Sequence, residues 1–332
     1  MKTGCVVGCG AIGPVHAEGI RLAEFGRLGG ICDIDAGKRN KYCEQYGVKG
    51  FSSFDQVLCD PEIDVVHICT PHYLHASMTR EALSAGKAVV LEKPAAISSC
   101  ELRELVSFVE ENGYRDRVMI MLQNRRNSCV QALKKLMKSE QELGALKGIA
   151  AHVTWCRDEA YYDSAAWRGT WTYEGGGLLI NQAVHTIDLM LWLGGAVKEI
   201  RAAASRRAVT NIEVEDTADA LVLFENGARG VFTATNGYGT TVPAMLELEF
   251  EKARFRYADQ ALYRIEGQDI SIVCRDDLQF RGKSCWGNGH ARVIDDFYRF
   301  LEGSGGQMIP ITEAVPAMEF VFEVYRQAFG RE

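Results

Sequence analysis

Short apolar runs alternate with stretches in which apolar positions recur every three or four residues over the first 122 residues of the chain. The apolar runs predict strands near residues 4–8, 28–33, 65–69, 88–91 and 118–122, and the helical spacing predicts helices near 14–25, 36–45, 73–85 and 98–112. That alternation implies an α/β domain with a doubly wound parallel sheet, in which ligands lie beyond the carboxyl ends of the strands. Near residues 123–125 the alternation stops. A helix with a basic outer face is predicted over 128–138. Strand-like runs follow at 146–156, 196–204, 218–224, 228–235, 245–250 and 253–257, with Asn226-Gly227 as a hairpin signal between two of them. Consecutive strands joined by short turns imply a mostly antiparallel sheet, so the second domain, 123–332, is of α+β type. Residues 177–193 read as one helix, opened by a glycine run and closed by Gly194-Gly195. It is apolar on every side, which predicts burial. Helices through Phe300 and over 313–329 close the chain, with Thr312 as an N-cap of the last.

A chain of 332 residues that is 47% hydrophobic has room for two sizeable cores. Its 37 Lys and Arg against 44 Asp and Glu give a net charge of −7, and no basic run interleaves with aromatics, which argues against nucleic acid as a partner. No apolar run approaches the roughly 18 residues of a membrane span, and the first residues enter a strand without a signal-peptide pattern, so the expected location is cytoplasmic. The 11 cysteines contain no Cys-x-x-Cys pair and sit mostly in apolar runs, as reduced, buried thiols do. No metal-ligand spacing is present.

Two kinds of position carry candidate chemistry. The first strand ends in Gly8-Cys9-Gly10-Ala11-Ile12-Gly13 and leads straight into a helix. In a strand–turn–helix context Gly8 permits the tight turn, Gly10 lets the backbone approach a pyrophosphate, and Gly13 lets the helix pack close to the strand. Asp33 ends the second strand 20 residues after Gly13, where a carboxylate accepts bonds from both ribose hydroxyls and repels a 2′-phosphate. This predicts NAD, with Lys38 and Arg39 near enough to leave NADP open. After the strand at 65–69 come Thr70-Pro71-His72-Tyr73-Leu74-His75, where Thr70 can bond phosphate or ribose and the histidines can cap a helix or stack on the cofactor. After the strand at 88–91 come Glu92-Lys93-Pro94. A lysine there is either a surface residue or a cation aimed into the cofactor crevice, where it would favour an alkoxide in the transition state.

The ordered set of the glycine motif, Cys69-Thr70-Pro71 with His75, Glu92-Lys93-Pro94, Trp167-Arg168-Gly169-Thr170-Trp171 and the stretch from Gly175 to Asp188 resembles the glucose–fructose oxidoreductase/inositol dehydrogenase (Gfo/Idh/MocA) family along nearly the whole chain. The resemblance implies a Rossmann domain and an open-faced, mostly antiparallel sheet domain, whose last helix returns to pack on the Rossmann domain. It implies a bound nicotinamide cofactor and a sugar, cyclitol or related polyol as substrate. It also places Thr70, Pro71, His75, Glu92, Lys93, Trp167 and Arg168 at the cofactor.

Within the helix at 177–193, Asn181, His185 and Asp188 share one stripe. A lone histidine on such a helix is by default a satisfied core residue; the polar stripe and the motif make His185 a site residue instead. With an ordinary pKa near about 6.5 it can take a proton at neutral pH, from a hydroxyl whose oxygen Lys93 holds. In the inositol dehydrogenase pattern the residue four before this histidine is often Asp. Here it is Asn181, which orients a hydroxyl but is no base and puts inositol itself in doubt. Asp188 is placed to orient His185 or to make a structural bond. Arg157, Tyr161 and Trp167 combine aromatic faces with arginine, as suits a sugar's C–H surface and hydroxyls, and His290 is a further candidate on the substrate side. The leading reading is an NAD(P)-dependent dehydrogenase acting on a secondary hydroxyl of a sugar. The alternatives are an NAD-dependent glycosidase that oxidises its sugar transiently, and a non-catalytic dinucleotide- and sugar-sensing regulator. An apolar open sheet face predicts a homodimer or homotetramer.

Overall fold

A computed structural model describes residues 1–276 and 289–331. The chain divides into two compact units: residues 1–123 with Gly289–Val315, and residues 124–276 with 316–331.

In the first unit β1 (Lys2–Val7), α1 (Gly13–Leu22), β2 (Gly26–Cys32), α2 (Ala36–Tyr46), β3 (Lys49–Phe51), α3 (Phe54–Cys59), β4 (Val65–Ile68), α4 (His75–Ser84), β5 (Ala88–Leu91), α5 (Ser99–Glu111) and β6 (Val118–Ile120) follow in order. The six strands form one parallel sheet in the order β3-β2-β1-β4-β5-β6. Strand order reverses between β1 and β4, the place where such sheets bind ligands. β1, β4 and β5 are buried on both faces, so they read as unbroken apolar runs rather than alternating ones. The short β3 and α3 carry too few apolar residues to show a period, and the predicted set omits them.

The second unit holds α6 (Ser128–Leu136), α7 (Glu140–Leu143), β7 (Leu146–Thr154), α8 (Glu159–Asp163), α9 (Val184–Gly194) and β8 to β14 (Val197–Ser205, Thr217–Phe224, Arg229–Thr235, Met245–Phe250, Arg254–Ala258, Ala261–Glu266 and Asp269–Arg275). These strands form an eight-stranded sheet in the order β14-β13-β12-β11-β7-β10-β9-β8. Every pairing is antiparallel except β10 with β7. β9 alternates strictly, with Ala218, Ala220, Val222 and Phe224 buried on one face. α9 lies against β7, β10 and β11 on that side. The opposite face is mixed rather than apolar: Leu221 and Val231 are exposed beside Arg201, Asp219 and Arg229.

The two closing helices differ from expectation. α10 (Gly289–Leu301) belongs to the first unit, where Gly19 of α1 leaves room for Ile294: a Cβ at Gly19 would lie 2.4 Å from Ile294 Cδ1. The last helix, α11 (Val315–Phe329), packs in the second unit, with Phe320 edge-on to Phe232 and Tyr325 bonded to Glu215. The helix that packs in the first unit is therefore α10 and not the last one. No helix among the described residues is long and apolar enough to cross a membrane.

Candidate functional site

The glycine motif is shaped by two packing needs and one opening. Gly8 has φ +100, and a Cβ there would meet Cys69 O at 2.6 Å; a Cβ at Gly13 would meet Gly8 O at 2.3 Å. Gly10 has nothing within 4 Å of its hypothetical Cβ. The packing of the fold does not require a glycine at this position. Ala11 is exposed, and the Ile12 carbonyl accepts from Val15 and His16 N–H as α1 begins. Asp33 Oδ2 accepts from Cys9 N (2.7 Å) and Oδ1 from Asp35 N (2.8 Å), which fixes the carboxylate beside the glycine loop. Arg39 donates to the Asp33 carbonyl (2.8 Å).

The loops after β4 and β5 are tied together by His75. Its Nδ1 lies 2.7 Å from Pro94 O and its Nε2 2.8 Å from Thr70 O, and the ring is buried. Burial lowers the His75 pKa, against the pull of the two carbonyls. His75 is thus a clamp inside the unit and not a surface presented to a cofactor. The Thr70 hydroxyl reaches Met78 Sδ (3.6 Å), and Pro71 precedes the single turn His72–Leu74. Glu92 also turns inward. Its Oε2 accepts from Lys93 N (3.2 Å) and its Oε1 meets His16 Nε2 (2.8 Å). Burial works to raise the Glu92 pKa, but the His16 bond and the fields of His16, His290 and Lys93 overcome it and hold it at about 2. From residue 87 to 96 every side chain is buried except Lys93.

Glu92 ends a buried polar chain. His16 Nδ1 lies 2.9 Å from His67 Nδ1, and His67 Nε2 lies 3.1 Å from Tyr298 Oη on α10. The His16 nitrogen that faces Glu92 donates to the carboxylate, and the two remaining links, His16 to His67 and His67 to Tyr298, run in one direction or the other with the His67 tautomer. Burial drives the His67 pKa well down. His290, expected on the substrate side, is buried edge-on to His16, and burial holds its pKa at about 4.

In the second unit the predicted helix of 177–193 opens with a π turn, Leu179–Ala183, before α9. The glycines ahead of it are close-packed: a Cβ at Gly176 would lie 2.0 Å from Tyr325 Oη, and one at Gly177 2.1 Å from Glu215 O. The buried Glu215 carboxylate accepts from Gly177 N (2.9 Å), Leu179 N (2.8 Å) and Tyr325 O–H (3.0 Å) and so anchors the start of the helix. Burial pushes its pKa up to about 7 in spite of these donors. Asp188 receives the Arg125 guanidinium at two points, Nε–Oδ2 2.9 Å and Nη2–Oδ1 2.6 Å, which makes it a structural anchor. From residue 174 to 191 all side chains are buried except Asn181 and His185.

Beside them lies an aromatic–arginine cluster. Tyr161 Oη accepts from Arg168 Nη1 (2.5 Å) and Gln182 Nε2 (2.9 Å) and lies 3.4 Å from Asn181 Nδ2. Arg157 stacks on Trp155 (4.9 Å) and Tyr161 (5.1 Å), and Arg168 on Tyr161 (4.5 Å) and Trp167 (4.6 Å). The candidate residues therefore fall into two groups. Gly8 to Gly13, Asp33, Thr70, Pro71 and Lys93 belong to the first unit, and Arg157, Tyr161, Trp167, Arg168, Asn181 and His185 to the second. Sequence reasoning missed His16, Glu174, Gln182 and Glu215. The one available signal was a polar residue among apolar neighbours, as at His16 beside Ala17 and Ile20 on α1.

Residues 3–120 match the family described as "Oxidoreductase family, NAD-binding Rossmann fold" (GFO_IDH_MocA), and residues 130–256 match the GFO/IDH/MocA C-terminal domain. The chain is 26% identical to myo-inositol 2-dehydrogenase of Thermotoga maritima over 85% of its own length and 80% of that protein. It is 26% identical to mouse trans-1,2-dihydrobenzene-1,2-diol dehydrogenase over 60% of its own length, and it spans 58% of that relative. Among solved structures it resembles the WlbA dehydrogenase of Bordetella pertussis in complex with NADH and UDP-GlcNAcA, at 28% identity and a TM-score of 0.83, covering 98% of this chain and 96% of that one. The chain belongs to the Gfo/Idh/MocA oxidoreductase family, and its first unit is an NAD-binding Rossmann domain.

Proposed function

We propose that the protein is an NAD-dependent dehydrogenase that oxidises a secondary hydroxyl of a sugar or sugar derivative. The observation that carries this reading is the exposure pattern: two otherwise buried segments leave open Lys93 in one and Asn181 and His185 in the other. A buried helix does not expose an amide and an imidazole on one stripe for packing reasons.

The glycine loop fits a dinucleotide, because Gly10 leaves the space a pyrophosphate needs and Asp33 is fixed beside it to receive ribose hydroxyls. The exposed Ile34 adds an apolar surface next to that acid. Bound NAD would supply the hydride acceptor. The chain's own residues do the rest. His185 takes the hydroxyl proton, Lys93 stabilises the negative charge that develops on the same oxygen, and Asn181 orients the hydroxyl by hydrogen bonds. Asn181 is itself held by Glu174, and Tyr161 lies beside it. Relatives named for inositol, a dihydrodiol and a UDP-linked sugar acid support a polyhydroxylated ring as the substrate class. A homodimer or homotetramer would rest on Leu221 and Val231, the exposed apolar positions of the otherwise mixed outer face of the second sheet; light scattering giving a monomer at micromolar concentration would remove that part of the proposal.

The test mixes the protein and NAD with a panel of aldoses, cyclitols, sugar acids, nucleotide sugars and glycosides, and follows reduced nicotinamide. Growth with one sugar class and matching consumption of NAD is the expected result. Release of an aglycone without net reduction would replace it with the glycosidase reading. Tight NAD binding without turnover of any member would replace it with a sensor.

A further inference from the structure

Two cysteines of the second unit meet. Cys274 of β14 donates to Cys129 of α6 with 3.4 Å between the sulfurs, although the two are 145 residues apart in the chain. Both are free thiols.

The contact is built from both sides. β14 pairs only with β13 and forms one edge of the sheet. Its register slips near its end: Cys274 faces Leu262 and Ile272 faces Tyr263, so Val273 is an extra residue. Such a bulge bends the strand and re-aims the side chain beside it. On the other side, Asn127 precedes α6 without capping it by its own side chain. Asp276 does so instead. Its Oδ1 accepts from Cys129 N (2.8 Å) in the first turn, and its Oδ2 accepts from the Tyr257 hydroxyl (2.6 Å). Asp276 N donates to Gln260 O (2.8 Å), the same carbonyl that the Cys129 thiol meets at 3.8 Å. A carboxylate two residues after Cys274 thus fixes the start of the helix that carries Cys129, and the two sulfurs are held against each other.

The pair is asymmetric. Cys129 is buried, and Cys274 is partly exposed. Burial, the bond from Cys274 and the charge of Asp276 push the Cys129 thiol up, which keeps it protonated and unreactive toward solvent. α6 also braces α9. Lys134 Nζ donates to Trp192 O (2.8 Å), and Gln131 donates to the carbonyl of Arg125, whose guanidinium holds Asp188.

We propose that Cys129 and Cys274 are a dithiol modification site that a hydroperoxide closes into a disulfide, locking the edge strand β14 to α6. The peroxide transfers one oxygen to the Cys274 sulfur, its O–O bond breaks, and it leaves as an alcohol, or as water from hydrogen peroxide. The Cys129 sulfur then attacks the Cys274 sulfenic acid: an S–S bond forms, the S–O bond breaks, and the Cys129 proton leaves with the hydroxyl as water. The two thiols lose two electrons and two protons, and the O–O bond takes up both electrons. Contact between the sulfurs replaces a bimolecular encounter, which offsets the weak nucleophilicity of a protonated Cys129.

The test uses the full chain, reduced, desalted and loaded with NAD, and adds hydrogen peroxide in slight excess. The first product should be a monomer lighter by two hydrogens, with Cys129 joined to Cys274 in the peptide map, and dithiothreitol should restore it. The exposed Cys59 and Cys100 serve as internal controls. Cys129→Ser should stop at a sulfenic acid on Cys274 that dimedone traps, and Cys274→Ser should leave Cys129 reduced. Cys274→Ser, at the partly exposed position, keeps the test available if Cys129→Ser fails to fold. Closing a loop of 145 residues should raise the thermal midpoint of the oxidised protein by about 5 °C or more, a gain absent from Cys274→Ser. Both thiols unreacted after Cys59 and Cys100 are oxidised, a disulfide from either to another cysteine, or a sulfinic acid on Cys274 beside a reduced Cys129 would overturn the site. A joined pair that melts no higher than the reduced protein would overturn the lock.

Discussion

Residues 87–96 and residues 174–191 are each buried except where chemistry is proposed, but they are held by opposite means. The Lys93 segment ends a strand, and its support is a hydrogen-bond chain of Tyr298, His67 and His16 that closes on one well-stabilised carboxylate, Glu92. The His185 segment is a helix with a π turn, and its support is three buried acids: Glu174 on Asn181, Glu215 on the helix start and Asp188 on Arg125. Of these, Glu215 receives donors but, among the described residues, no cation, and burial raises its pKa. A strand end exposes its next residue through the turn alone. A helix buried all round must be pinned at its start if one stripe is to stay open, and here the pin is a buried carboxyl group.

The largest effects should come from the half-buried residues Lys93 and His185 themselves. Lys93→Ala and His185→Ala should each lower kcat by about 10²–10⁴-fold, with NADH binding, read by fluorescence, nearly unchanged. On the proposed function, in which both act on one oxygen and its proton, the double variant should fall little further. Loss of NADH binding along with activity in Lys93→Ala would make Lys93 a cofactor or folding residue, and the two segments would no longer share a task.

The contrast in supporting charge predicts opposite pH responses. Glu215 has its folded pKa raised, from 4.5 to about 7, so the native state binds the extra proton; its contribution is full below pH 4.5 and is lost as pH rises to 7. Glu92 has its folded pKa lowered, from 4.5 to about 2, so its contribution is full above pH 4.5 and is lost as pH falls to 2. Each span corresponds to up to about 3 kcal/mol. Urea unfolding across pH 4.5–7 should therefore show a decline that Glu215→Gln flattens and Glu92→Gln leaves in place. The reverse result would exchange the roles of the two acids.

The candidate residues of the first unit were far more legible in the sequence than those of the second. Gly8, Gly13 and Asp33 answer to demands of the local backbone, and Lys93 sits between a strand and a proline, so short-range rules locate them. Asn181 and His185 were visible as a polar stripe on an apolar helix, although the π turn beneath them was not. What escaped were partners distant in sequence. His16 and Glu92 are 76 residues apart, and Arg125 and Asp188 63 apart. His75 and Glu92 turn inward because their acceptors and donors lie inside the unit, which the motif spacing does not encode. The exchange of α10 and α11 between the units has the same origin, since both are amphipathic and only the tertiary partner decides. β13 and β14 were missed because β14 has exposed residues at consecutive positions and shows no alternation.

The smallest effects should come from the glycines, and they separate the two regions most cleanly. At Gly177 an added methyl would meet the Glu215 carbonyl oxygen at 2.1 Å and Val214 Cγ2 at 2.8 Å. Backbone cannot step aside as a flexible side chain can, so Gly177→Ala should cost about 1–3 kcal/mol of stability and displace the helix start, lowering kcat without a change in NADH affinity. At Gly10 the same methyl meets nothing, and its φ is not in the left-handed region. Gly10→Ala should therefore hold or raise stability by up to about 1 kcal/mol, while the methyl occupies the approach of the pyrophosphate and weakens NADH about tenfold or more. Measuring melting and NADH titration on both variants gives a crossed pattern, one glycine kept for packing and the other for a ligand. If Gly10→Ala bound NADH as the parent does, the space above that residue would be incidental, and the dinucleotide would have to be held by Asp33 and the start of α1 without close backbone approach.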